Sequence, residues 1–330
     1  MGKIRDIRFD VLKGALILSV VLGHFFTHNT THDIISETLA NVIYSFHMPL
    51  FVFVSGYFTK KSGIAQGNLR ILETYIVYQL IKGLAYRYSP LQLMILPGPM
   101  LWYLVSLIIW RFLFWGLDKI GVTITWRLIA ILVAMGVTAG FFPWIGREFA
   151  LSRTIVFAPY FFLGVLSQRI PLLNVINERI SNRLSLVIWI IVFAMSFLFA
   201  YFSIDVRSLF AGTYPYPDDC KWIYAFARLL SYLSSVVISV VFIKVFSFEN
   251  SVLGTIGRDS LKYYMFHGLI LMVIDYVGLP WASYYSVLYA LIVSTIIFFF
   301  NKTKLSDYAI RPLSFILKSF KYGKPSNDNN

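Results

Sequence analysis

The sequence predicts an all-α fold, a polytopic membrane helical bundle of about ten transmembrane helices. Composition is the first reason: 58% of 330 residues are hydrophobic, 14% are charged, and the mean hydropathy is +0.70, whereas soluble chains carry about a quarter charged residues. The second is the length of the apolar runs. A helix needs about 20 mostly apolar residues to cross the hydrocarbon core, and a spanning segment must satisfy its own backbone groups. The third is that Lys and Arg alternate between the ends of successive runs, as cytoplasmic loops require.

Taken in order, the apolar runs fall near residues 11–27, 41–59, 72–88, 100–117, 125–142, 152–168, 184–204, 222–246, 261–278 and 281–300. The first is followed by Thr27-His28-Asn29-Thr30, not a small-residue cleavage site, so it is expected to stay as a span. The third carries Glu73, Lys82 and Arg87. It reads either as a span facing the bundle interior or as a re-entrant segment, which would reduce the count by one. Residues 1–300 read as one transmembrane domain and 301–330 as a basic tail lying against anionic lipid.

Orientation follows from the cations. One set of ends holds Lys3, Arg5 and Arg8; Lys60, Lys61 and Arg70; Lys119 and Arg127; Arg169, Arg179 and Arg183; Arg258 and Lys262; and Lys302, Lys304, Arg311, Lys318, Lys321 and Lys324. The alternate ends hold only Arg147, Arg153, Arg207 and Lys221. Both termini are therefore expected in the cytoplasm of a cell (inner or plasma) membrane protein. Topology accounts for most of the net charge of +13, and no nucleic-acid partner follows from it. The single Cys220 excludes an internal disulfide and a cysteine-based zinc site.

Ionisable groups inside spans are costly, so each is a candidate functional residue. Rising about 1.5 Å per residue from the cytoplasmic end, the first span carries His24 roughly 20 Å inward. His47 enters from the opposite side to a similar depth, and Trp102, Tyr103 and Arg153 begin their spans at that same face. These five groups are expected to share one layer. His267 starts from the cytoplasmic side and is expected in the inner half, away from His24, with a donor-binding or gating role. His24, His28 and His32 have the spacing of a helical metal ladder, but Asn29-Thr30-Thr31 ends the helix and no carboxylate motif accompanies it. No metal is expected, and His28 and His32 read as solvated loop residues.

Several segments together resemble a known family, the integral-membrane acyltransferases of family 3, in particular its fucose-4-O-acetylase-like and polysaccharide-adhesin-modifying branch. They are Arg8-Phe9-Asp10-Val11-Leu12-Lys13-Gly14 leading to His24; Phe46-His47-Met48-Pro49-Leu50-Phe51 with Ser55-Gly56-Tyr57; Leu101-Trp102-Tyr103-Leu104; Arg153 to Gly164; and Gly257-Arg258-Asp259-Ser260-Leu261 leading to His267. Lys13 stands where the family more often has arginine.

The resemblance implies transfer of an acetyl group from acetyl-CoA to a hydroxyl of an extracytoplasmic or lipid-linked glycan. On that footing His24 is the expected general base, Arg153 and Tyr103 oxyanion or sugar donors, and His47 a positioning group or relay. Trp102 is a sugar platform, and Arg8, Lys13, Arg258 and Lys262 are a basic inner rim for the donor's phosphates. Asp10 is expected to pair with Arg8 or Lys13. A transient acetyl-imidazole, transfer of another acyl group such as succinyl, and a glycan or lipid transporter or flippase remain alternatives. The sequence shows no paired inverted halves of the kind usual in secondary transport.

Overall fold

The computed structural model describes residues 6–28, 33–98, 100–279 and 283–312, and every regular element among them is helical. In chain order they are α1 (Ile7–Thr27), α2 (Ile34–Tyr44), α3 (His47–Phe58), α4 (Ile64–Ala85), α5 (Pro90–Ile95), α6 (Trp102–Lys119), α7 (Trp126–Thr138) and α8 (Leu151–Leu166). There follow α9 (Leu172–Arg179), α10 (Asn182–Tyr201), α11 (Arg207–Ala211), α12 (Lys221–Phe246), α13 (Ser251–Arg258), α14 (Ser260–Val277), α15 (Ser283–Phe300) and α16 (Lys304–Ile310).

Polar residues set the starts. The Asp6 carboxylate accepts from the Arg8 backbone N–H at 3.0 Å and caps α1, and the Arg8 guanidinium beside it holds that carboxyl below the usual carboxylate range. The cap is therefore charged at neutral pH and is lost only on strong acidification. Asp33, Thr125, Ser181 and Asn250 cap α2, α7, α10 and α13 in the same way.

Each of the ten predicted segments is helical. Five helical stretches among the described residues are long and apolar enough to cross a membrane, namely Ile7–Thr27, Ile34–Phe58, Glu148–Arg169, Asn182–Tyr201 and Lys221–Phe246. A sixth arises if α15 and α16, bent by 104°, count as one. The segment read as either a span or re-entrant is the continuous 22-residue α4. The predicted second span is broken at Ser45–Phe46, between α2 and α3. Pro49 sits in the first turn of α3, where its missing N–H frees the carbonyl of Ser45, and the Ser235 hydroxyl donates to that carbonyl at 2.6 Å.

The distribution of polarity matches a lipid solvent. On α10 only Ser185 and Ser196 are buried, while Leu186 and Ile190 are about three-fifths exposed. The interior instead collects Asp10, His47, Lys82, Arg228 and His267. An apolar outside and a polar inside suit a bundle surrounded by acyl chains.

Two close crossings fix the register. At α1 on α13, a Cβ on Gly14 would strike the Leu253 carbonyl oxygen, and one on Gly257 would strike the Asp10 carbonyl oxygen. At α3 on α8, Gly56 and Gly164 likewise face the backbone carbonyls of Phe161 and Phe53. Backbones meet there because small residues permit it.

The tail departs from expectation in its described part. Residues 304–310 form α16, which folds back onto the bundle with Ser306 and Ile310 buried. Lys262 holds Asp307 at 2.7 Å and donates to the Ser306 hydroxyl, while the Thr74 hydroxyl donates to the Ile310 carbonyl at 3.2 Å. This part of the tail is thus held by protein contacts on one face. Lys318, Lys321 and Lys324 lie outside the described residues, as do Lys3 and Arg5.

Because the obstacle at Gly257 is backbone and cannot rotate away, Gly257→Val is expected to destabilise the protein by about 3 kcal/mol or more, beyond ordinary overpacking. Thermal unfolding in detergent reads this. An unchanged midpoint would show that the α1–α13 crossing does not hold the bundle.

Candidate active site

A cavity of about 370 Å³ opens among α1, α3, α6, α8, α11 and α14, toward the end of the bundle opposite the N-terminus. His24, His47, Trp102 and Arg153 line it together, as the sequence predicts, with Tyr44, Met48, Phe157 and Tyr264. Its size lies within the range of small-molecule sites, about 300–1,000 Å³.

His47 owes its setting to the α2–α3 break. Its Nδ1 lies 2.8 Å from the Ile43 carbonyl, which can only accept, so Nδ1 carries the proton and Nε2 keeps its lone pair in the neutral ring. Tyr44 neighbours two of the cavity histidines, its ring centroid 4.8 Å from that of His47 and 6.4 Å from that of His24.

His267 is not where its sequence position implied. Its ring centroid is 5.5 Å from that of His24, with the planes 26° from parallel. The cause is α13, which crosses α1 where Leu253 and Gly257 meet the Gly14 backbone, so that α14 begins close to that level. Ten residues then separate Gly14 from His24 and seven separate Ser260 from His267, so both histidines lie roughly two to three turns beyond the crossing. The expected separation of His267 from His24 is thereby replaced by direct contact between the rings. The His267 Nδ1–H donates to the Tyr263 carbonyl at 2.7 Å, and its fully buried Nε2 has no hydrogen-bond partner among the described residues.

Arg153 is held by its Nε, which donates to the Ala211 carbonyl at 3.1 Å and the Thr213 hydroxyl at 2.9 Å. Its guanidinium lies over the Trp102 ring, 4.8 Å from the centroid. Trp102 is only 9% exposed and also packs against Phe157 at 5.1 Å. The indole thus supports the guanidinium instead of offering an open sugar platform.

Tyr103 is separated from the layer expected to contain it. Successive helical residues are about 100° apart around the axis, so Tyr103 faces away from the cavity that Trp102 lines. It lines a second cavity of about 280 Å³ nearer the N-terminal end, with Lys13, Ser55, Phe58, Ser260 and Leu261. The Ser55 hydroxyl donates to the Phe51 carbonyl at 2.8 Å, so it accepts the Tyr103 proton at 2.6 Å. That proton is committed, which removes Tyr103 as an oxyanion donor in this arrangement.

The predicted basic rim is present but largely paired. Arg8 bonds Asp6, Lys13 bonds Asp10 at 2.8 Å, and Lys262 bonds Asp307. Arg258 donates to the Thr255 hydroxyl at 2.7 Å and has no carboxylate partner among the described residues. Three of the four would have to exchange a carboxylate for a phosphate, and Arg258 would not. His28, read as a loop residue, instead ends α1 3.4 Å from Asp275 of α14 and lines the larger cavity. His32 lies outside the described residues.

Sequence reasoning passed over Tyr44 and Tyr264, whose only sequence signal was membership of aromatic-rich spans. Lys82 is buried, and its Nζ lies 3.4 Å from where a Cβ on Gly268 would stand, next to His267.

A family model described as an acyltransferase domain matches residues 6–301, nearly the whole chain. The nodulation protein NolL of Sinorhizobium fredii (strain NBRC 101917 / NGR234) is 38% identical over 80 residues, 23% of this chain and 22% of that protein. NolL of Mesorhizobium japonicum (strain LMG 29417 / CECT 9101 / MAFF 303099) is 41% identical over 56 residues, 16% and 15% of the respective chains. The match thus spans less than a quarter of either relative's length. No solved structure matches. With a helical bundle, a histidine-lined internal cavity and a family match along nearly its whole length, this integral membrane chain belongs to acyltransferase family 3.

Proposed function

We propose that the protein is an O-acetyltransferase that takes its acetyl group from cytoplasmic acetyl-CoA and delivers it to a hydroxyl of a cell-surface or lipid-linked glycan. In this reading the chain crosses the inner or plasma membrane about ten times with both ends in the cytoplasm. The observation that carries it is the convergence of His24, His47 and Arg153 on one internal cavity in a chain of an acyltransferase family. A second cavity on the Lys13 side supplies an approach from the N-terminal end, and Arg258 is the rim cation best able to meet a donor phosphate.

His24 takes the proton of the acceptor hydroxyl as the oxygen attacks the thioester carbonyl carbon, and the C–O bond forms. Negative charge then gathers on the carbonyl oxygen, where the Arg153 guanidinium, braced by Trp102 and the Ala211 carbonyl, stabilises it. The C–S bond breaks as the tetrahedral species collapses, and His24 returns the proton to the leaving thiolate. Imidazole, neutral when it accepts the proton and imidazolium when it returns it, suits both transfers. His47, its Nδ1–H tied to Ile43, presents Nε2 as an acceptor for a neighbouring hydroxyl of the acceptor, leaving the proton of the attacking hydroxyl to His24. His267 bears on the His24 ring from the buried side.

The test uses purified protein in vesicles with radiolabelled acetyl-CoA and a glycan acceptor. His24→Ala is expected to lower label transfer by about 10²- to 10⁴-fold, the usual contribution of a general base. Unchanged transfer would remove His24 from the chemistry, and acceptor movement without acetylation would instead indicate a transporter.

Arg153→Gln is expected to lower kcat by about 10²- to 10³-fold, the scale for one lost oxyanion donor. A change confined to KM would assign Arg153 to acceptor binding alone.

A further inference from the structure

Tyr264 is the one side chain among the described residues that lines both internal cavities. On one side lies the chamber with His24, His47 and Arg153, and on the other the cavity with Lys13, Ser55 and Tyr103. Its ring is buried and held on several sides. The hydroxyl donates to the Met100 carbonyl, and the ring centroid lies 5.5 Å from Tyr103, 6.0 Å from His267 and 6.4 Å from Phe51. Met100 adopts a φ of +72°, a left-handed conformation seldom used outside glycine. The carbonyl that receives the Tyr264 proton is thus itself held in a special backbone state, immediately before α6 begins.

From this we propose that Tyr264 is a specificity-determining residue, a fixed partition that a thioester arm must pass to reach His24 and that excludes donors with wide acyl groups. The inference rests on the acetyl-CoA reading above and adds to it a route and a filter. A donor entering from the Lys13 side leads with its acyl end, because its phosphates remain with the cations at the rim. The acyl group must therefore slip past Tyr264 before its carbonyl carbon comes within reach of His24. A methyl-terminated two-carbon group meets the least obstruction, whereas a branched one meets the pinned ring. Widening the partition affects the branched donor more than the acetyl donor, and a pocket typically discriminates by about ten-fold or more for each carbon it rejects.

Two variants of the full-length protein in vesicles test this, using acetyl-CoA and isobutyryl-CoA with one glycan acceptor. Tyr264→Leu is expected to raise the ratio of isobutyryl to acetyl transfer, as kcat/KM, at least about ten-fold. An unchanged ratio overturns the inference. Leu261→Trp fills the cavity on the Lys13 side and is expected to abolish transfer from acetyl-CoA. The same variant should still acetylate the acceptor from S-acetyl-N-acetylcysteamine, a short thioester added to the opposite face. Retained acetyl-CoA transfer in folded Leu261→Trp also overturns it. If that variant loses both donors, the Tyr264→Leu ratio decides alone. Failure of the wild-type protein to transfer acetyl from acetyl-CoA at all would instead defeat the proposed function, which keeps the two failures distinct.

Discussion

Backbone contact between α1 and α13 is the constraint on which the arrangement of the site depends. Gly14 and Gly257 let two helices touch without side chains between them, and that contact sets how far along α1 the chain has travelled when α14 begins. Were the helices held apart by ordinary side chains, α14 would be free to start lower and His267 would face a different stretch of α1. The pairing of His24 with His267 is thus a consequence of two glycines distant from both rings. In a membrane, where apolar burial between helices contributes little, such close packing and interhelical hydrogen bonds carry the association.

The fold was largely legible in the sequence because lipid imposes a simple rule on it. Helix-length apolar runs placed ten segments, each helical where it is described. Reading depth from the ends of spans brought His24, His47, Trp102 and Arg153 to one cavity. That reading failed for Tyr103 because depth carries no information about which way a side chain points around its helix. It failed for His267 because α13 is a short amphipathic helix, and its path along α1 depends on a tertiary contact that no local pattern encodes. The fold-back of α16 was hidden for a similar reason, since Asp307 and Ser306 look like tail residues until Lys262 is found beside them.

Backbone carbonyls play an unusual part in the chemistry of the interior. Two histidines are fixed in one tautomer by carbonyls four residues earlier, those of Ile43 and Tyr263, and Arg153 is fixed by that of Ala211. A carbonyl cannot change its donor or acceptor character, so it orients a ring or guanidinium without competing for the proton in play. At the N-terminal end carboxylates do this instead, Asp6, Asp10 and Asp307 holding Arg8, Lys13 and Lys262. The interior and the rim thus position their cationic and titratable groups by different means.

The tie between Arg153 and the Ala211–Thr213 stretch bears on how such a protein can change its acceptor. In the stretch that follows α10, the Ala211 carbonyl at the end of α11 and the Thr213 hydroxyl just beyond it anchor the Nε of the cavity's guanidinium. A graft that altered the contour of this loop would disturb catalytic geometry together with substrate choice. New acceptor preferences should then be reachable through Tyr214 and the residues beyond it, and closed off at Ala211 and Thr213. Diversification and chemistry are in this way assigned to adjoining parts of a single loop.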